Sequence, residues 1–162
     1  KGLNDMADVG LIDPVHTRMH IAQPEGCSPI VQAYDQGSFQ VQPVRPHTIA
    51  KSLAIGNPAD GSYALRTITS SKGSAVVAME CEIVEGIQLL AEAEGIFTET
   101  AGGVVISGLK RLVSKGLIKR DELTVAYITG NGLKTQEVVE GVVKTVQISP
   151  NYDAFEEAMA VR

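Results

Sequence analysis

The stretch SAVVAMECEIVEGIQLLAEAE, residues 74–94, decides the fold. Its first part, residues 74–79, is a continuous run of small apolar side chains, which is typical of a β-strand that is covered on both faces. In the part that follows, residues 80–94, apolar side chains recur at helical intervals: Ile83, Ile87, Leu90 and Ala91. A buried strand that leads directly into a long helix predicts a parallel sheet with helices packed on it.

The segments before this strand show the same alternation. A helix within KGLNDMADVGLI precedes a strand over residues 17–22, and helices follow over residues 28–36 and 62–70. Between these two helices, Thr48 is placed to cap a short helix that ends near Gly56. The order of these elements agrees with a β-α arrangement.

The segments after residue 94 continue the pattern. A brief extended run over residues 95–99 precedes a helix that starts at Thr100 with unusually small side chains, TAGG, in its opening turn. A strand over residues 124–129, an edge strand over 142–149 and a closing helix over 152–161 follow. We therefore predict one domain over residues 1–162, a three-layer α/β/α sandwich with a mostly parallel sheet.

The composition limits the kinds of partner. With 14 Lys and Arg against 19 Asp and Glu, the net charge of −5 argues against electrostatic binding to nucleic acid or to an anionic membrane surface. Cys27 and Cys81 have no pairing pattern, which indicates reduced thiols. The chain contains no run of about 18 apolar residues. We expect a cytoplasmic protein whose partner is a small molecule or another protein.

Glycines and polar side chains follow the predicted strands, where open parallel sheets bind ligands. The segments concerned are TGNG (129–132), ETAGG (99–103) and IGNP (55–58). At the first, Thr129 offers a hydroxyl, and the glycines let backbone approach a flat ligand. A glycine-rich turn in which Thr129 bonds its own backbone explains this segment as well, and helix or turn capping explains Glu99 and Asn57.

The sequence offers little for a metal or for a nucleophile. His16 and His20 are four residues apart, but the segment TRMHI is predicted to be extended and no third ligand is evident, so we expect no metal site. No nucleophile, base and orienting acid occur in related settings, which leaves no catalytic residue to assign.

Four phrases occur in a characteristic order: AQPEGCSPIVQAY, HTIAKSLAIGNPADGSYAL, EGIFTETAGGVVISGLKRL and VAYITGNGLKT. Together they resemble the C-terminal half of the threonine synthases, pyridoxal-phosphate enzymes of fold-type II. The resemblance covers residues 1–134. It depends on the four phrases together, since no single one is specific enough.

The resemblance implies roles for individual residues. Thr129 matches the residue whose hydroxyl bonds the pyridine nitrogen of the cofactor, and Gly130 follows it. Glu99 matches the acidic residue near the ring, and Ser52 with Leu53 matches the segment on the other side of the ring. The family converts O-phosphohomoserine and water to threonine and phosphate.

The chain also departs from the family pattern. Thr100 stands where the family often has proline, Ala54 stands where it often has arginine, and Ser52 replaces a smaller residue. The phrase with the Schiff-base lysine and the loop that cradles the cofactor phosphate are not found in this sequence, and we expect that Lys134 does not replace that lysine. We therefore expect a piece of a longer enzyme that is inactive alone and that forms a homo-oligomer or associates with the missing half.

Two alternatives remain open from sequence. One is a stand-alone α/β domain without catalytic activity that binds a partner subunit. The other is a sibling activity within the same cofactor group, such as a dehydratase. Neither the residues near Ser52 nor those near Asn57 distinguish these possibilities.

Overall fold

Two short parallel strands lie at the centre of the computed structural model, which describes residues 1–142 and 146–160. Strands β1 (Ile21–Pro24) and β2 (Ala75–Ala78) pair in register from Ile21 with Ala75 to Pro24 with Ala78. The helices are α1 (Gly2–Asp8), α2 (Pro29–Asp35), α3 (Gly61–Ser70), α4 (Glu80–Glu94), α5 (Thr100–Ser114) and α6 (Tyr152–Ala160). Single 3₁₀ turns occur at Glu25–Cys27, Lys51–Leu53, Gly132–Lys134 and Gln136–Val139.

Helices cover both faces of the strand pair. On one face, Ile21, Ala75 and Val77 pack against apolar side chains of α2 and α3. On the other face, Val76 packs with Leu112 of α5, and Ala78 packs with Val104 of α5. Successive residues of a strand point to opposite faces, so an all-apolar strand fills both cores. The prediction of a layered α/β fold with a parallel sheet is confirmed.

Helices α4 and α5 pack so closely that their backbones touch. A Cβ atom on Gly103 would lie 2.3 Å from the carbonyl oxygen of Ile83, and one on Gly86 would lie 2.5 Å from the carbonyl oxygen of Gly103. Ser107 Oγ donates a hydrogen bond to the carbonyl oxygen of Glu82 at 2.5 Å. Gly103 at the start of α5 therefore serves contact with α4, whereas Gly102 lies against Thr98, where a Cβ would be 2.0 Å from Oγ1.

An ion pair also links α4 and α5. The guanidinium of Arg111 on α5 donates to both carboxylate oxygens of Glu82 on α4 at 2.8 to 2.9 Å. Burial alone raises the pKa of Glu82, but the Met79 N–H and Arg111 together hold it below its ordinary value. Because this contact is bidentate, it restricts the relative orientation of the two helices in addition to stabilising their association.

Two strand predictions need correction. The strand expected over residues 17–22 begins only at Ile21. The prediction of a strand over residues 124–129 is wrong: the segment pairs with no neighbouring strand in the described part of the chain, and the exposed fractions of Val125 and Tyr127 are 71% and 75%. A β-prone sequence becomes a strand only where a neighbouring strand takes up its backbone hydrogen bonds.

Three further predictions concern short or terminal segments. The short helix expected after Thr48 is a single 3₁₀ turn, and the prediction that Thr48 caps it is wrong: the turn begins after Ala50, and Thr48 Oγ1 donates to Glu80 and accepts from the Ala50 N–H. Of the predicted edge strand over 142–149, residues 143–145 lie outside the described part, and 146–149 are not in a strand. The closing helix is confirmed as α6, and Val161 lies outside the described part. Within the described residues, no helix combines the length and apolar character that crossing a bilayer requires.

The close approach of α4 and α5 predicts the effect of adding one methyl group. Gly103→Ala places a Cβ against the Ile83 carbonyl, and overpacking of this kind costs about 1–3 kcal/mol. The better helix propensity of alanine offsets only about 1 kcal/mol. We expect urea unfolding to show a net loss of stability. Gly2→Ala in α1, where a Cβ would meet nothing within 4 Å, is the control and should not destabilise the protein.

His20 makes stability depend on pH. Its Nδ1 accepts a hydrogen bond from the Ser74 N–H at 3.1 Å, and burial, then the charge of Arg18, lower its pKa below the ordinary 6.5. The neutral form is therefore favoured in the folded state. Its contribution is present above pH 6.5 and is lost as the pH falls through the folded pKa.

We expect the free energy of unfolding, measured in urea, to decrease between about pH 7.5 and pH 5.5. His20→Asn keeps an acceptor near the Nδ1 position but cannot take up a proton, so this decrease should become smaller. His16→Asn is the control because the His16 side chain is exposed. An unchanged pH dependence in His20→Asn would contradict the assignment.

Candidate functional site

A buried carboxylate lies at the start of α5. The side chain of Glu99, the residue directly before the helix, is only 5% exposed. Its Oε1 accepts from Lys134 Nζ at 2.8 Å, and its Oε2 accepts from Ser52 Oγ at 3.4 Å. A buried charge needs such partners, so two separate loops are held at this helix end by one side chain.

The segment with the glycine turn lies along the residues that lead into α5. The Glu99 N–H and the Thr98 hydroxyl both donate to the carbonyl of Gly130, at 3.2 and 2.9 Å. The Gly132 N–H donates to the carbonyl of Phe97 at 3.1 Å. A Cβ on Gly130 would lie 1.8 Å from Glu99 Oε1, so this position accepts only glycine without a shift of the carboxylate.

A local turn then directs Lys134 back toward Glu99. Asn131 Oδ1 accepts from the Leu133 N–H at 2.9 Å, which starts the 3₁₀ turn Gly132–Lys134. The next residue, Thr135, is buried and its hydroxyl accepts from the Thr100 N–H at 3.2 Å. This bond occupies one of the free N–H groups of the first turn of α5.

The loop that carries Ser52 is fixed by another carboxylate. Glu80, at the start of α4, accepts from Thr48 Oγ1 at 3.0 Å and from the Ile49 N–H at 2.9 Å. Three residues on, Ser52 reaches Glu99, and Leu53 packs against the core cluster that includes Ala78, Ile83 and Val104. The acidic start of α4 thus positions one side of the site, with help from its helix dipole.

The structure brings together most of the residues that the sequence singled out. Ser52, Glu99 and Gly130 are joined by hydrogen bonds and direct contact, and Leu53 lies beside Ser52. Thr129 directly precedes Gly130, and its side chain is exposed. Thr129 therefore lies exposed next to the residue that contacts Glu99.

The third glycine-bearing segment, residues 55–58, has other contacts. The Val44 N–H donates to the carbonyl of Gly56 at 2.9 Å, and a Cβ on Gly56 would lie 1.9 Å from the Val44 carbonyl oxygen. Asn57 is exposed. This turn therefore packs against the loop around Val44 and is not part of the Glu99 cluster.

Sequence reasoning missed the partners of Glu99 and Thr100. Lys134 was considered only as an amine for covalent chemistry, and Thr135 was not considered at all. The Asn-Gly turn indicates that the chain reverses after residue 131. No local pattern identifies a contact between residues that are 35 positions apart, which is the separation of Glu99 and Lys134.

The donor groups around Glu99 fit the ring of pyridoxal phosphate. An exposed neutral hydroxyl on Thr129 is a suitable donor to a pyridine nitrogen, and Lys134 compensates the charge of Glu99. Thr100 Oγ1 is buried and has no hydrogen-bond partner among the described residues. Thr100 directly follows Glu99, so this buried polar atom without a partner belongs to the same helix end as the Glu99 cluster.

The histidines and cysteines belong to other parts of the structure. His20 Nδ1 is occupied by the Ser74 N–H, and Cys27 and Cys81 are free thiols. In residues 1–142 and 146–160, no group of three or more His, Cys, Asp or Glu side chains is arranged to hold a metal ion.

Among proteins of known function, this chain is similar in sequence to threonine synthases. Threonine synthase of Methanocaldococcus jannaschii is 42% identical over 135 residues, which are 83% of this chain and 33% of the relative. Threonine synthase of Methanosarcina acetivorans is 35% identical over 161 residues, which are 98% of this chain and 40% of the relative. The chain thus spans between a third and two fifths of the length of these curated relatives.

A solved structure, that of a threonine deaminase from T.th., matches 69% of this chain and 38% of its own, with 13% identity and a TM-score of 0.48. The family model described as pyridoxal-phosphate dependent enzyme matches residues 7–130, which is most of the chain. This match includes β1, β2, α4, α5 and the segment up to Gly130. The chain belongs to the family of pyridoxal-phosphate-dependent enzymes.

Proposed function

We propose that this chain forms the ring-binding side of the cofactor site of a threonine synthase, which converts O-phosphohomoserine and water to threonine and phosphate. The observation that carries the proposal is the convergence of Ser52, Glu99 and Gly130 at the start of α5. The relatives that share these segments are named threonine synthases.

Each residue has a distinct task in this proposal. The Thr129 hydroxyl would donate a hydrogen bond to the ring nitrogen, Glu99 would lie near the ring edge, and Ser52 with Leu53 would line the other side. Pyridoxal phosphate supplies an electron sink for bond breaking at an amino acid. A neutral hydroxyl does not hold the ring nitrogen protonated as a carboxylate would, so Thr129 moderates that sink and favours elimination and replacement.

Lys134 has a structural task. Its ammonium group is bound to a carboxylate that is almost fully buried, and releasing it would leave Glu99 without its charge partner. A lysine that forms a covalent bond with the cofactor must be free to lose its proton. We therefore propose that Lys134 is not the Schiff-base residue and that this chain alone has no lyase activity.

A chimera tests the proposed function directly. The aligned 135 residues of the M. jannaschii threonine synthase are replaced by the matching residues of this chain. We expect phosphate release from O-phosphohomoserine to be retained, with borohydride trapping the cofactor on a lysine of the relative and not on Lys134. If the chimera binds the cofactor but instead deaminates serine or threonine, a dehydratase-type activity replaces our proposal.

In the same chimera, Thr129→Val removes the hydroxyl and keeps the shape of the side chain. Loss of one hydrogen bond, about 1.4 kcal/mol, predicts a decrease in turnover of about tenfold or more. Thr129→Ser should retain turnover within a few-fold. Thr124→Val is the control, since Thr124 is also an exposed threonine of the same segment. Equal turnover of the two valine variants would contradict the role of Thr129.

The ion pair of Lys134 predicts a loss of stability in the chain itself. Lys134→Met leaves the Glu99 carboxylate buried without its cation, which costs about 1–3 kcal/mol. Lys51→Met is the control: it removes an ion pair with the exposed Glu137 and should cost less than about 1 kcal/mol. Urea unfolding followed by circular dichroism measures both. Equal effects of the two substitutions would argue against the structural role.

A further inference from the structure

A groove with exposed cationic side chains lies between α4 and α5, away from the Glu99 cluster. Its volume is about 350 Å³, and its lining includes Gly86 and Leu89 of α4 and Ile106 of α5. Leu89 is 44% exposed, so the groove presents apolar surface to solvent. A gap of this kind between two helices can accept the apolar side of a third helix.

The charges along the groove favour an acidic occupant. Glu82 and Arg111 neutralise each other, which leaves Glu85 against two lysines, Lys110 and Lys115. Both lysine side chains are exposed, and neither forms an ion pair within the part of the chain that the structure describes.

Helix α6 has the complementary properties. It has no buried residue, and its apolar side chains Tyr152, Phe155 and Met159 are 70%, 49% and 49% exposed. They are spaced at helical intervals and form one stripe. The charged residues of the helix are all acidic: Asp153, Glu156 and Glu157.

We propose that α6 of one copy of this chain docks in the α4–α5 groove of a second copy. Phe155 and Met159 cover Leu89 and Ile106, and the acidic side chains approach the lysines. In the structure of a single chain, the stripe of α6 and the groove are both exposed at once, so the chain's own α6 does not fill its groove. Reciprocal docking makes a closed dimer with two equal interfaces.

Charge reversal tests this arrangement in the 162-residue chain. We expect sedimentation velocity to show a monomer–dimer equilibrium that weakens with added salt. Glu156→Lys with Glu157→Lys should raise the dimer dissociation constant at least tenfold, and so should Lys110→Glu with Lys115→Glu. Combining the four substitutions in one chain should restore the constant to within about threefold of wild type, and an equimolar mixture of the two double variants should also dimerise, because each α6 then meets a groove of opposite charge.

Two further variants keep the test decisive. Glu92→Lys with Glu94→Lys makes the same charge change at exposed positions of α4 outside the groove lining and should leave the dimer intact. Phe155→Ser should weaken the dimer without changing the sign of any charge. Circular dichroism of each variant confirms the fold. A chain that stays monomeric at all concentrations, or a dimer that none of the groove and α6 substitutions affects, would overturn the proposal.

Discussion

The contact between the backbones of α4 and α5 is the constraint on which the rest of the structure depends. Gly86 and Gly103 leave no space for a side chain where the helices cross, and the Glu82–Arg111 ion pair holds the crossing from outside. Because α5 also covers one face of both strands, its position relative to α4 determines where its first residue lies. The candidate site is built on Glu99, the residue directly before α5, so helix packing determines where that site lies.

Hydrogen bonds and an ion pair to two carboxylates position the loops around the candidate site. Two carboxylates at helix N-termini, Glu80 and Glu99, each collect hydrogen bonds from loops that are distant in sequence. The Ser52 loop also packs Ala50 and Leu53 into the core, and the two carboxylates, which require partners once they are removed from water, add a directional constraint to that packing. In the candidate site, Ser52 and Thr129 are exposed, while the buried charge of Glu99 is compensated by Lys134.

The sequence predicted the elements whose signals are local and missed those that depend on distant partners. The run 74–79 and helix 80–94 were predicted because composition and period agree over their whole length, and α4 occupies Glu80–Glu94 as expected. Residues 124–129 were predicted as a strand because β propensity does not report whether a neighbouring strand exists.

Of the candidate site, Ser52, Glu99 and Gly130 were selected through the family resemblance, and the structure brings them together. Their roles toward a cofactor remain predictions. The Lys134–Glu99 pair was missed, because spacing does not encode a contact across 35 residues.

The central strand pair has a consequence for how the chain reaches this structure. Ile21 pairs with Ala75, and the chain between them includes α2, the 3₁₀ turn of the Ser52 loop and α3. The ends of a segment of more than fifty residues must therefore meet before the first ladder hydrogen bond forms. Such high contact order slows folding, because the entropy of closing the segment is lost before any pairing energy is gained. Helices α2 and α3 lie within this segment and pack on each other, so their formation would shorten the effective distance between the two strands.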